Sequence, residues 1–451
     1  MRLRGLRSRT AAWSLLLAVA FGCLQLAGVS GSASPDTKNY LSYALRIQGD
    51  SPRTAADRTV AYVCQRHDAA GRRACTGKLE RTLARHGGPR ASSPVAPFAS
   101  PRFLRIFEVR PGYPVLLAPF VATVGVTWGV WAAGLFVTVA GSLLVVRVLR
   151  TLGAPPGIAV AGQGLYYVLP SGTTAMRPLA EGTLMALTVA VVWGCLLALS
   201  GRRRGFALAA AGFAALFAVK HTQTLFLGGC LAAALTAVAA ARWRGGRAAG
   251  PGTTGLLMLA LGAAGATVLA AGALGYPTAY DSVQDLLTGH YARPDLARPW
   301  PALAHMEVRF WAGWVRQQCL QPLLPVLLAA AGWAAYRRSP VFAAVLAAAA
   351  ASGLVNQAAH PDPAIWGDRL IVMVWLLPVI GLPLLADRLG AHRLNPPLAE
   401  AGGFQAHAAS RGGASDGLVR STRAGWRPAR WSMTRAEFLS RGDSAPHAVQ
   451  V

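Results

Sequence analysis

Five residues with chemical potential follow the first apolar stretch: Asp36, Tyr40, Tyr43, Arg46 and Asp50, within SPDTKNYLSYALRIQGDSPR at 34–53. On a helix, Asp36 and Tyr40 are four residues apart and share a face, with Tyr43 on the next turn. A carboxylate held at a bilayer surface among aromatic and cationic neighbours can take a proton from a hydroxyl group. The same carboxylate also suits a plainer task, because Pro35-Asp36 is ordinary chemistry for starting a helix. What the rest of the chain brings to Asp36 decides between the two.

Other ionisable residues recur beside apolar runs: Arg102, Arg105 and Arg110, then Arg177 and Glu181, then Lys220-His221, then Asp368-Arg369. Each has a bland reading. The three arginines of 102–110 suit lipid-headgroup anchors, and Glu181 suits the start of the following helix, where a carboxylate favours the dipole. Lys220-His221 suits the tip of a solvated hairpin, although a lysine between two short apolar legs must in any case reach an interface or an aqueous cavity. His290, His305 and His360 lack zinc-ligand spacing, so no metal site is assigned. Asp281 and Asp285 share the face of what reads as a solvated loop helix. Of six cysteines, Cys23, Cys195 and Cys230 fall inside apolar runs. Cys64 and Cys75 share the first large loop, where spacing alone leaves a disulfide open.

The elements that must position these residues are membrane spans. Of 451 residues 53% are hydrophobic and 14% charged, against about 25% charged in soluble domains. The net charge of +26 comes from arginines in loops between apolar runs, the positions that orient membrane proteins, so nucleic-acid binding is excluded. The alanine- and arginine-rich composition points to a GC-rich bacterial genome. Four arginines within Met1–Arg9 put the amino terminus in the cytoplasm. The apolar runs then predict an all-α integral membrane protein with about ten transmembrane helices. Its large first extracytoplasmic loop (30–112) contains short helices near Thr54–Val63 and Cys75–Arg85, and Pro114–Gly125 reads as a short interfacial helix. A second outer loop covers 275–321. The short inward turns carry Arg147/Arg150, Arg202–Arg204, Arg242/Arg244/Arg247 and Arg337/Arg338, which keeps both termini inside. Residues 1–388 form the membrane domain. Residues 389–451, rich in Gly, Ala, Ser and Arg, read as a disordered basic cytoplasmic tail. The unusual polar residues thus collect on one side of the membrane, as expected of an enzyme acting at the outer face on a lipid-anchored substrate. No P-loop is present.

The order of features resembles the GT-C class of polytopic membrane glycosyltransferases, in particular bacterial, mannosyltransferase-like members that use polyprenyl-phosphate sugars. The likeness rests on S-x-D-x-x-x-Y (Ser34, Asp36, Tyr40), Ala44 and the Gly49-Asp50-Ser51-Pro52 turn. It continues in RPGYPVLLAPF at 110–120, the polar turn with Glu181, the Lys220-His221 turn and Arg369 opening a late span. The resemblance covers the chain to about Arg388. It implies that Asp36 is the general base, with inversion at the sugar, and that the donor is a substrate, so no cofactor is needed. Tyr40, Arg102, Arg105, Arg110, Glu181, Lys220, His221 and Arg369 are the candidate substrate-binding residues, the cations for the donor's phosphate. Thr37 stands where many members have a second acidic residue, and Leu370 replaces a tyrosine, so metal dependence is unsupported. The expected partners are a polyprenyl-phosphate sugar, membrane lipids and a glycan, lipid or protein acceptor, at the bacterial cytoplasmic membrane. Two alternatives remain: a transporter or flippase of a lipid-linked precursor, and a catalytically inactive membrane assembly protein.

Overall fold

A backbone in hydrocarbon has no water to bond to, so apolar runs of this length satisfy their polar groups internally, as helices. The computed structural model describes residues 2–29, 33–86, 93–362 and 369–394, and among these residues every regular element is helical. The chain runs through α1 (Arg2–Gln25), α2 (Thr37–Ile47), α3 (Pro52–Cys64), α4 (Ala69–His86), α5 (Pro101–Glu108) and α6 (Gly112–Thr151). It continues through α7 (Pro156–Val168), α8 (Pro170–Met176), α9 (Ala180–Leu199), α10 (Arg204–Arg244) and α11 (Pro251–Ala273). The last are α12 (Ala279–Thr288), α13 (Pro299–Leu320), α14 (Leu323–Arg338), α15 (Pro340–Ala358) and, after a 3-10 turn at Leu370–Trp375, α16 (Leu376–Leu394). The tail from residue 395 onward and Asp368 lie outside the described residues.

Among the described residues, seven helices are long and apolar enough to cross a membrane, or eight if the bent pair α13–α14 counts as one span. About ten were expected, and the two legs of α10 count here as one helix. α7 has only 13 residues, and α14 has 16 and meets α13 at 83°. A bilayer core needs about 20 apolar residues from a helix, and hydropathy cannot see a bend. The stretch at 171–182 is also more ordered than expected: 170–176 forms α8, whose Ser171 hydroxyl donates to the Tyr166 carbonyl at 2.9 Å.

Two long helices reverse on themselves. In α6 the break is Gly125, at φ 80°, a conformation open to glycine and costly for other residues. A Cβ on Gly129 would lie 2.6 Å from the Val121 nitrogen, so 112–124 folds back as a short separate leg. In α10 the break is Lys220 (φ −163°, ψ 96°). The Thr224 hydroxyl donates to the Phe213 carbonyl at 3.3 Å, eleven residues back, whereas eleven residues of straight helix span about 16 Å. α10 is therefore a helical hairpin with Lys220 at its tip. Its legs pack on α9, α11 and α15.

In the first loop, α3 and α4 form a small layer of their own around Ala56, Val60, Cys64, Ala96 and Phe98. Cys64 and Cys75 are joined in a disulfide that ties the two helices together. α2 packs instead against α6 and the main apolar core.

Candidate active site

Asp36 sits immediately before α2 in a helical conformation (φ −85°, ψ −16°), and its side chain makes no capping bond. The plain reading of this residue as a helix cap does not hold. Thr37 shapes the turn instead: its hydroxyl accepts from the Ser34 backbone at 2.9 Å and donates to the Pro178 carbonyl at 3.3 Å. That second bond draws the start of α2 onto the turn before α9, where Glu181 lies in the first helical turn.

The Asp36 carboxylate pairs with the Arg369 guanidinium, whose Nε also donates to Glu181 Oε1 at 2.9 Å. Asp36 and Arg369 keep about a fifth of their side-chain surface exposed, at 20% and 19%, against 5% for Glu181. Arg369 is anchored from behind. The 3-10 turn that follows buries Leu370, Ile371, Val372, Met373 and Val374, and the Asn356 side-chain amide donates to the Leu370 carbonyl at 3.4 Å. Asn356 also accepts from Lys220 Nζ at 3.0 Å, so one amide connects the α10 tip to the Arg369 segment. Gln223 fastens the same tip to α15 through Ser352, at 3.1 Å.

Arg110 joins from the turn before α6. The residue after Pro111 must be small: a Cβ on Gly112 would lie 2.7 Å from the Ala218 carbonyl carbon and the Val219 nitrogen. This close approach brings Arg110 beside the α10 tip, within electrostatic reach of Lys220 and His221. Arg110, Glu181, Arg369 and Asp36 all act on Lys220. Three cations thus surround two carboxylates, an excess of one positive charge.

Several polar atoms around this cluster are buried without partners: Arg110 Nε, Glu181 Oε2, His221 Nδ1 and the Tyr113 hydroxyl. Buried polar atoms are nearly always bonded to protein or water, so these four are free to bond water or a ligand. The His221 ring faces Tyr276, 5.0 Å between centroids. Tyr40 is buried with its ring edge-on to Phe107 and Tyr113, at 5.3 and 5.2 Å. Burial, partly opposed by Arg110, pushes its hydroxyl up to about 12, so Tyr40 stays protonated and forms a wall of the site. Burial also holds the His360 imidazole below its ordinary range, within reach of Lys220 and Arg369.

Of the predicted site residues, Asp36, Tyr40, Arg110, Glu181, Lys220, His221 and Arg369 come together. Arg102 and Arg105 do not. Arg102 binds both Asp295 oxygens at 2.8 Å and Asp281 at 3.0 Å, and lies over the Tyr291 ring at 4.2 Å. Arg105 donates to the Gly275 carbonyl at 2.7 Å. Both arginines clasp the first loop to the second. Arg46 and Asp50 are also used locally: Arg46 donates to the Asp50 carbonyl at 2.6 Å, and the Asp50 carboxylate holds Arg58 at 2.6 Å. Asp281 completes a capping box with Thr278, while Asp285, read as solvated, is buried against His290 at 3.2 Å.

Asn356, Gln223 and Tyr113 were missed as site residues. The signal for the first two was available, since amides in apolar helices need partners as charges do. Among the described residues no three of His, Cys, Asp and Glu gather as a metal-ligand group. No family model matches the chain, and neither does any curated protein or solved structure.

Proposed function

We propose that this chain is a membrane glycosyltransferase that moves a sugar from a polyprenyl-phosphate donor to an acceptor on the extracytoplasmic side, with Asp36 as general base. The observation that supports this most is the Asp36 carboxylate itself. It is not spent as a cap, and it stands among Arg369, Glu181, Lys220 and Arg110 with unpartnered polar atoms around it. In the proposed reaction Asp36 accepts the proton of the acceptor hydroxyl as that oxygen bonds to the sugar's anomeric carbon. The bond from that carbon to the phosphate oxygen breaks on the opposite face, and the electron pair leaves with the phosphate. Arg110, Lys220 and Arg369 stabilise the charge that develops there. Glu181 keeps Arg369 aimed. On this reading the protein sits in a bacterial cytoplasmic membrane with both termini inside.

The test is transfer from radiolabelled polyprenyl-phosphate hexoses by purified protein in proteoliposomes. Asp36→Asn keeps the size and removes the base, and it leaves Arg369 its Glu181 partner. Transfer should fall by about 10²–10⁴-fold. Transfer at the wild-type rate by this variant would overturn the role assigned to Asp36.

A flippase of a lipid-linked precursor is the second reading. It draws on the polar contacts inside apolar helices, Gln223 with Ser352 and Gln163 with Tyr167, at 3.1 Å each. It predicts movement of the labelled lipid across the bilayer with no sugar transferred.

A further inference from the structure

The basic side chains around Asp36 fall into two sets, and the cluster described above uses only one. Lys38, two residues beyond Asp36, belongs to the other. It is half-buried and has no ion-pair partner among the described residues. Burial holds its ammonium below the usual lysine range; Asp36 opposes that, and the neighbouring Lys78 adds to it. His290 reaches the same place from the second loop, within the influence of both Asp36 and Lys38. His290 and Tyr291 hold that approach in left-handed backbone conformations, at φ 62° and 58°. For side chains of this kind such conformations persist only where the surroundings enforce them.

Lys78 belongs to α4, whose two faces differ. Cys75, Leu79 and Leu83 pack on the small apolar layer of α3, and the disulfide holds them there. Lys78, Arg81 and Arg85, spaced three and four apart, form one stripe and are all exposed. Glu80 is the sole carboxylate of α4, and among the described residues none of the three stripe residues forms an ion pair with a carboxylate. Two lysines converging from different helices repel each other unless an anion lies between them. The composition of this stripe suits an anion carried in water better than a bilayer surface. Helices that bind bilayers press Trp, Phe or Leu into them, whereas no large hydrophobic side chain is exposed between Ile47 and Val115 among the described residues.

We propose that Lys38, Lys78, Arg81 and Arg85 form a second anion-binding track, leading from the mouth of the Asp36 site along α4. The track takes a water-borne polyanionic glycan, a chain bearing phosphate or carboxylate groups, and presents it to Asp36. The presentation step rests on the transferase reading; the binding step does not.

The test uses full-length protein in neutral phosphatidylcholine nanodiscs. Its probes are fluorescein-labelled polyphosphate and polygalacturonate, with neutral dextran as control, read by anisotropy. Both polyanions should bind, more weakly as salt rises. The triple variant Lys78→Gln, Arg81→Gln, Arg85→Gln should weaken binding by about tenfold or more, and Lys38→Gln should weaken it further. Asp36→Asn should bind at least as tightly as wild type while losing transfer. If the wild-type protein binds both polyanions but transfers no sugar, the transferase reading falls and the track stands. The track itself is overturned if the triple variant binds like wild type. It is equally overturned if neutralising Arg242 and Arg244 costs as much, or if the stripe mediates binding to phosphatidylglycerol vesicles and not to the polymers.

Discussion

Two charge clusters in this protein are built from the same chemistry. Around Arg369, one guanidinium holds two carboxylates, Asp36 and Glu181, with 19% of its side chain exposed. Around Arg102, one guanidinium also holds two carboxylates, Asp281 and Asp295, with 42% exposed. The Arg102 clasp is complete: both carboxylates accept from its guanidinium, Asp281 is further held by Thr278, and an aromatic ring covers the arginine. The Arg369 cluster is incomplete, with more cations than anions and orphaned polar atoms nearby. A saturated exposed cluster fastens a loop, and an unsaturated buried one can bind a ligand. Counting charges in the sequence cannot separate them, because both follow from an arginine near acidic residues.

The largest effect that tests this contrast comes from Arg369→Gln. It leaves Asp36 and Glu181 facing each other without their shared cation, and breaking a buried pair costs about 3–5 kcal/mol. The lower end is expected here, since a fifth of Arg369 reaches solvent. Thermal unfolding in detergent should shift down markedly and transfer should vanish. A variant as stable as wild type would show that the two clusters are energetically alike.

Gly112→Ala comes next. It leaves every charge in place and pushes the Arg110 turn off the α10 tip, at an overpacking cost of about 1–3 kcal/mol. Binding of inorganic pyrophosphate by the protein, followed by calorimetry, should weaken. Unchanged affinity would separate Arg110 from the cluster.

Arg102→Gln should cost no more than about 1 kcal/mol, as exposed pairs generally do. It should loosen the second loop without abolishing transfer. Loss of transfer equal to that of Arg369→Gln would return Arg102 to the site.

The smallest effect is one of pH. The hydrogen bond to Asp285 raises the His290 pKa above its ordinary value, against burial. Asp36 adds to the rise and Lys38 opposes it. A raised folded-state value means that this pairing stabilises the loop fully below the unfolded histidine range, near about 6.5. The contribution is lost as pH rises through the folded value. Hydrogen exchange across 279–298 should therefore be faster at pH 8.5 than at pH 6, after correction for intrinsic rates. No difference would mean that the pairing contributes nothing to docking.

Part of this site is legible in the sequence. Asp36, Glu181, Lys220 and Arg369 stand out because charge in or beside hydrocarbon is costly and needs a reason. Arg102 and Arg105 stand out by the same rule and are misassigned by it, since their carboxylate and carbonyl partners lie in a distant loop. Asn356, which joins Lys220 to the Arg369 segment, carries no charge and drew no attention.

The sequence by itself determined that the chain is helical and rich in membrane-spanning runs. It also determined that a short Asp-led helix follows the first run and that α3 and α4 form in the loop after it. Those features follow from local hydropathy, proline positions and helical periodicity. Only the tertiary structure decided that Asp36 meets Arg369, 333 residues away, and that Asn356 joins Lys220 to the segment after Arg369. It alone joined Cys64 to Cys75, left seven or eight helices fit to span, and turned Arg102 outward to its own carboxylates. Each of these depends on which surfaces pack together, and a single chain's local pattern carries no record of that.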